Sequence, residues 1–309
     1  MGTSVFLTGV SGYLGSVLAD HLARMPEIDS ITGVYNATTP APPSSPKVNF
    51  LQMDIRSQDL ARAMAGYEIV IHSAFIVIWK ASMPAQVRDD INFKGTRNVA
   101  EAAIKNRVQR FIYASSIAAY DFTLIPGKNS VDEDFPVGNG HSGWYYPDTK
   151  ALAERLLIEI FGPSGIPLTL LRPCTITGPH DRTYIKNFHD NAMSCIGFDP
   201  RIQFVHEDDV AEAFTQAILM EMSGAYNIVP DDSIRLSELN RLLGVKFAPP
   251  VPMWLARLIQ HLKWRYFGSS IHSSWVDITV LDATVSNAKL KSTGWSPQYT
   301  SEAAVRSGL

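Results

Sequence analysis

Short apolar runs recur through the first half of the chain, at 5–8, 31–35, 48–51, 69–72, 111–114 and 168–171. Between them lie stretches whose apolar residues repeat at helical spacing, such as Val17, Leu18 and Leu22. Runs this short and this uniformly apolar suit strands buried on both faces, and strands alternating with helices predict a parallel sheet covered on either side. After the second run comes a proline-rich stretch, residues 37–46, expected to run over the surface as a loop. Towards the end, Met253, Trp254, Leu255, Leu258, Ile259 and Leu262 predict an amphipathic helix, followed by Trp264, Tyr266, Phe267 and Trp275. The expectation is that this stripe packs against the core, the alternatives being a lid over an apolar substrate or a surface for a membrane or partner.

Composition narrows the class of protein. With 309 residues, 46% of them hydrophobic and 18% charged, the chain can bury a large core in one or two domains. The net charge is -3 and no basic run tracks a phosphate backbone, so nucleic acid is not an expected partner. Two cysteines, Cys174 and Cys195, are too few for a disulfide framework and are expected to be buried packing residues in a reducing compartment. The longest apolar stretch, 69–79, contains His72 and is too short to span a bilayer. The chain opens directly into its first strand, with no signal segment apparent. These features set the expectation of a cytoplasmic protein without a membrane span.

Two patterns carry chemistry. Thr8-Gly9-Val10-Ser11-Gly12-Tyr13-Leu14-Gly15 joins a strand to a helix through glycines that permit a tight turn, close approach to a diphosphate and close helix packing. Its spacing is G-x-x-G-x-x-G, one residue wider than the ordinary dinucleotide fingerprint. Tyr146 and Lys150 stand four apart and so share a helix face. An ammonium beside a phenol stabilises the phenolate, which would let Tyr146 exchange a proton near neutrality.

Taken in order, these motifs resemble the extended short-chain dehydrogenase/reductase family, which includes nucleotide-sugar epimerases and dehydratases, hydroxysteroid dehydrogenases and dihydroflavonol-type reductases. The resemblance runs through most of the chain: the glycine turn, Met53-Asp54-Ile55, Val70-Ile71-His72-Ser73-Ala74, Asn92-Phe93-Lys94-Gly95-Thr96, Phe111-Ile112-Tyr113-Ala114-Ser115-Ser116, Tyr146 to Lys150, Leu171-Arg172-Pro173, and Phe204-Val205-His206-Glu207-Asp208-Asp209-Val210-Ala211. It implies a Rossmann-like doubly wound parallel sheet of the α/β class with a smaller C-terminal lobe. The dinucleotide-binding domain would comprise 1–173 and 202–230, and the substrate-binding lobe 174–201 and 231–309.

By the same resemblance, Ser116, Tyr146 and Lys150 are the catalytic residues, with Ser115 the close competitor of Ser116. Cofactor contacts fall to Gly9, Ser11, Gly12, Tyr13, Leu14, Gly15, Tyr35, Asn36, Asp54, Ile55, Ser73, Ala74, Asn92, Ser115, Tyr146, Lys150 and Pro173. Asp54 would accept from the adenine amine or, alternatively, cap the helix near Ser57. Family members often dimerise through two helices, here 96–105 and 151–161, so the resemblance implies a homodimer; the residues alone leave the oligomeric state open.

Cofactor and substrate follow less directly. NAD users end the second strand with an acid that accepts from the ribose hydroxyls, whereas Tyr35 and Asn36 stand here. Neutral Asn36, Thr38 and Thr39, with Lys47 as a source of charge, tip the balance towards NADP and leave NAD open. No metal is expected. Ile117 and Ala118 replace the acids that dehydratases carry after the catalytic hydroxyl, which disfavours elimination. Thr175 stands where sugar-nucleotide enzymes tend to carry asparagine, while Arg182, Lys186 and Arg201 form a candidate diphosphate grip. The expected function is oxidoreduction of a small-molecule ketone or secondary alcohol, with a nucleotide-sugar 4-epimerase as the alternative and a catalytically silent dinucleotide sensor as a second one.

Overall fold

The computed structural model describes residues 2–124, 130–181, 184–246 and 248–309. Seven parallel strands form the central sheet: β1 (Thr3–Thr8), β2 (Ile28–Tyr35), β3 (Val48–Gln52), β4 (Ile69–His72), β5 (Arg110–Ala114), β6 (Leu168–Pro173) and β7 (Gly224–Ile228). Their order across the sheet is β7-β6-β5-β4-β1-β2-β3, so the strand order reverses between β1 and β4. At such a reversal neighbouring connections leave over opposite faces, and the crevice between them is where open α/β sheets bind ligands. All six apolar runs read from the sequence lie within strands. β7 did not stand out because Gly-Ala-Tyr-Asn-Ile is half polar, a composition tolerated at a sheet edge, where Lys289 donates to the Ala225 carbonyl (2.8 Å).

Helices α1 (Tyr13–Ala23), α2 (Thr96–Lys105), α3 (Tyr145–Phe161), α4 (Tyr184–Asp190), α5 (Glu207–Leu219) and α6 (Met253–Tyr266) include those that cover the sheet and build the second lobe. One core, with Val5, Leu7, Leu18, Ile31, Ile71, Phe214 and Trp295, fills the side where α1 and α5 pack together. A second, with Phe6, Val70, Val99, Phe111, Tyr113 and Leu157, fills the side of α2 and α3. Alternate residues of one strand therefore serve opposite cores, Val5 and Leu7 against Phe6, which explains the unbroken apolar runs.

Beyond the sheet, short ladders join 201–202 to 234–235 and 194–195 to 250–251, placing parts of the chain's last third around the carboxyl ends of the strands. Helix α6 departs from its expected packing. Only Ala256 and Gln260 are buried, and Trp254, Leu258, Leu262 and Tyr266 face solvent. Among the described residues, no helix is long and apolar enough to cross a membrane.

Candidate active site

The glycine turn follows β1 directly. Gly9 takes a positive φ of 79°, and a Cβ there would lie 2.7 Å from the backbone nitrogen of Ala74. At Gly15 a Cβ would lie 2.2 Å from the Gly9 carbonyl oxygen, so α1 packs closer to the turn than any side chain permits. No side chain caps the start of α1, which leaves its first N–H groups directed at the crevice, where an anion satisfies them. A diphosphate fits this cradle. Ser73 holds the neighbouring turn by donating to the Thr8 carbonyl (2.7 Å), and Ala74 packs on Gly9. Asn92 donates to and receives from the backbone of Ile76 and also donates to the Tyr145 hydroxyl (3.2 Å), so it braces this edge.

Ser116, Tyr146 and Lys150 line one cavity of about 290 Å³, together with Gly9, Gly12 and Gly15. The two serines are distinguished by their partners. Ser115 donates to Glu154 (2.5 Å), which also takes two hydrogen bonds from Arg172 (2.9 and 2.6 Å) in a buried ion pair. Its hydroxyl is thereby committed to the protein. The Ser116 oxygen accepts from Ala118 N (3.1 Å) and makes only a long 3.4 Å contact to the Pro173 carbonyl, which leaves it to interact with Tyr146.

The electrostatics of the pair differ from the expectation. Burial pushes the Tyr146 phenol up to about 12, partly countered by its hydrogen bond with Ser116. Lys150 does not lower it here. The ammonium turns instead to the Ala114 carbonyl (2.7 Å) and the Tyr113 hydroxyl (3.3 Å), and lies 4.1 Å from the centre of the Phe75 ring. Burial pushes Lys150 down to about 7, against the opposing pull of Glu154. In this state Ser116 and not Lys150 stabilises the phenolate.

At the far end of β2, Asn36 donates to Asp54 (3.1 Å), whose carboxylate is also gripped by Arg56 (2.9 and 2.6 Å). The arginine and the hydrogen bonds hold Asp54 below the usual carboxylate range. Asp54 therefore forms an ion pair, rather than simply capping the helix near Ser57, and Arg56 adds a cation at this end of β2 that no motif marks. Lys47, in contrast, donates to the Met25 carbonyl (2.7 Å) and is spent on the loop. Ile55 is buried and its side chain packs on Gly95, and Tyr35 is half-buried.

Away from the glycine turn, much of the cavity wall is apolar. Phe75, Val77, Ile117, Trp144, Ile176, Phe188 and Leu281 contribute to it, and Trp275 stacks on the Tyr146 ring with centroids 5.3 Å apart. Tyr184, Phe188, Trp275 and Ile278 also border a second chamber of about 80 Å³ behind them. Thr175, Pro173 and Cys174 line the main cavity, and both cysteines are buried as expected.

Of the candidate diphosphate grip, Arg201 alone among the described residues lines the cavity. Arg201 reaches the cavity wall but is paired with Asp282 (2.9 Å). Lys186 is exposed on α4 and paired with Asp190 (2.6 Å). Arg182 lies outside the described residues.

One linkage has no signature in the sequence. Tyr13, first residue of α1, donates to Glu207 (2.6 Å), whose other oxygen meets the His180 ring (2.5 Å). Glu207 opens α5 and is buried against Gly178, where an added Cβ would lie 2.4 Å from its side chain. This joins the glycine turn to the loop before α4. Burial and the Glu207 carboxylate both push the Tyr13 phenol far up, so it stays a donor. Glu207, its partner, is 194 residues distant in sequence, beyond the reach of any local pattern.

Among known proteins, the model of the NAD dependent epimerase/dehydratase family matches residues 5–229. A 3-beta-hydroxysteroid dehydrogenase of Mycolicibacterium neoaurum is 30% identical over 200 residues, covering 62% of this chain and 52% of that protein. The chain thus spans about half the length of the curated relatives it matches, 52% and 56% for two of them. The UDP-glucose 4-epimerases of Thermotoga maritima, with UDP-glucose, and of Thermus thermophilus, with NAD, superpose with TM-scores of 0.74 and 0.73. Each superposition covers 99% of this chain and 97% of the other, at 19% and 22% identity, a likeness of fold.

Proposed function

We propose, on the premise that this chain belongs to the NAD dependent epimerase/dehydratase family, that it is an NAD(P)-dependent oxidoreductase acting on an apolar ketone or secondary alcohol. The observation that carries this reading is a single cavity with the glycine cradle at one end, Ser116, Tyr146 and Lys150 in the middle and an aromatic, aliphatic wall beyond. A bound nicotinamide supplies or accepts the hydride. The protein's own work is to hold the substrate oxygen between the Ser116 and Tyr146 hydroxyls, to deliver or remove the proton through Tyr146, and to hold the nicotinamide ribose with Lys150. With its phenol protonated at neutral pH, Tyr146 is set as the donor for carbonyl reduction.

NADP is the preferred form in this reading. Neither Tyr35 nor Asn36 offers a carboxylate to the ribose hydroxyls, and the nearby Asp54 is already neutralised by Arg56. A nucleotide-sugar substrate is disfavoured because Arg201 and Lys186 are both paired with carboxylates.

Coenzyme consumption against a panel of hydrophobic ketones tests the reading. Stoichiometric loss of NADPH supports it. Conversion of a UDP-sugar with no net loss of added coenzyme would establish the epimerase, and dinucleotide binding without turnover on either panel the sensor. In the productive case, Tyr146→Phe should lower kcat by about a hundredfold or more while the dinucleotide Kd stays within a few-fold. Near-native turnover in that variant would remove Tyr146 from the mechanism.

A further inference from the structure

The outward face of α6 is apolar and cationic at once. Trp254, Leu258, Leu262 and Tyr266 succeed one another every fourth residue and are 67%, 47%, 41% and 71% exposed, and Phe267 beyond them is 81% exposed. His261 and Arg265 alternate with them on the same exposed face, while Arg257, half-exposed, turns its guanidinium to Asp277. A helix on a protein surface normally turns polar residues to water, and an unbroken apolar stripe there marks a contact. The stripe continues past the helix start, where Ile196, 58% exposed, donates from its backbone to the Val251 carbonyl (3.1 Å).

Charge identifies the occupant. Between residues 239 and 276 the chain has no Asp or Glu. Arg241 pairs with Glu238 and Arg257 with Asp277 at the borders of this stretch, which leaves Lys246, Lys263 and Arg265 with no carboxylate partner among the described residues, in a protein whose net charge is -3. Two copies of this face brought together would oppose like charges. An anionic surface would not. Trp and Tyr rings favour the boundary between lipid headgroups and acyl chains, and a cation such as Arg265 between them meets the phosphates. Fourteen residues of helix extend about 21 Å, short of the roughly 30 Å hydrocarbon layer, so the element can lie on a bilayer but not cross it.

We propose that α6 is an interfacial helix that seats this protein on an anionic lipid surface. Its inner side packs on the Ser273–Thr279 turn, where Asp277 pairs with Arg257 and Trp275 stacks on Tyr146. Docking would therefore hold one wall of the apolar cavity beside the lipid phase. The proposal stands on the surface alone and does not depend on which reaction the cavity performs.

Cosedimentation of the full chain with vesicles of phosphatidylcholine, with and without phosphatidylglycerol, tests it. The expected result is binding to the anionic vesicles that weakens with added salt and falls roughly fivefold for Arg265→Glu. Leu258→Ser combined with Leu262→Ser should abolish it while leaving thermal unfolding near that of the unaltered protein, since both side chains are exposed. As a check that needs no polar substitution, brominated lipid should quench the fluorescence of the unaltered chain more than that of Trp254→Phe. Failure to bind either vesicle, or binding indifferent to these substitutions, would overturn the proposal. So would a concentration-dependent dimer that the Leu258→Ser/Leu262→Ser variant dissolves, because the face would then be covered by a second copy.

Discussion

Lys150 holds the most responsive proton in the cavity. Buried, and with its ammonium on the Ala114 carbonyl, it is pushed down to about 7. If the charged form is the one that binds the nicotinamide ribose, affinity should be greatest below about pH 7 and decline as pH rises through that value, by up to tenfold per unit. Titration of NADPH fluorescence from pH 6 to 9 would reveal this, and a flat profile would show that the ribose does not depend on the ammonium. The choice between Ser115 and Ser116 belongs to the same scale. Adjacent identical residues are indistinguishable in sequence, and only the buried Glu154–Arg172 pair, which takes up one hydroxyl, separates their environments.

At the scale of elements, the glycine turn and α1 form a cradle whose dimensions leave no slack, the place proposed here for the diphosphate. Gly15→Ala places a methyl group 2.2 Å from the Gly9 oxygen, forcing α1 away from the turn. The expected outcome is a loss of about 1–3 kcal/mol in stability and at least tenfold weaker dinucleotide binding, measured by denaturant titration and by fluorescence. Unchanged affinity in a folded Gly15→Ala protein would mean that the diphosphate lies elsewhere. The Tyr13–Glu207–His180 linkage ties this turn to the beginning of α5. Glu207→Ala leaves the Tyr13 hydroxyl without its partner and should cost about 1–3 kcal/mol. Chemical denaturation of that variant tests the link, and a change of a few tenths would show that water replaces the carboxylate freely. Pattern alone located the glycine turn because its residues are contiguous. It could not locate the linkage, whose three members come from three separate segments.

Over the whole molecule, buried ionisable groups set opposing responses to acid. His72, fully buried between Thr8 and Thr96, is pushed down to about 3. The unfolded chain takes up a proton at this residue near pH 6.5 and the folded one does not until about 3, so stability falls as pH drops through that window. Asp209, accepting from the Gln298 and Tyr299 amides, is raised to about 6 by burial. Its folded form protonates first, which adds stability between about pH 6 and the ordinary carboxylate range and offsets His72 in part. Asp209→Asn should therefore lose more stability between pH 7 and pH 5 than the unaltered protein does. Equal losses in the two would show that Asp209 is not raised in the folded state.

What the sequence alone determined is whatever depends on neighbours along the chain. Alternating apolar runs and helical spacing specify a parallel sheet, three glycines specify the phosphate turn, and a four-residue interval sets Tyr146 and Lys150 on one face. The tertiary structure alone decided what depends on neighbours in space. Burial drew the Lys150 ammonium to a carbonyl and raised the phenol it was expected to lower. A carboxylate from a distant segment, Asp282, took up Arg201. Helix α6 turned its aromatic stripe outward because Ala256 and Gln260, not the larger side chains, are buried on its inner side, Ala256 beside Val276 and Gln260 donating to the Ile271 carbonyl. Charge and hydrophobicity are written in each residue, but their effect is fixed by the dielectric and the partners around it, which the fold supplies.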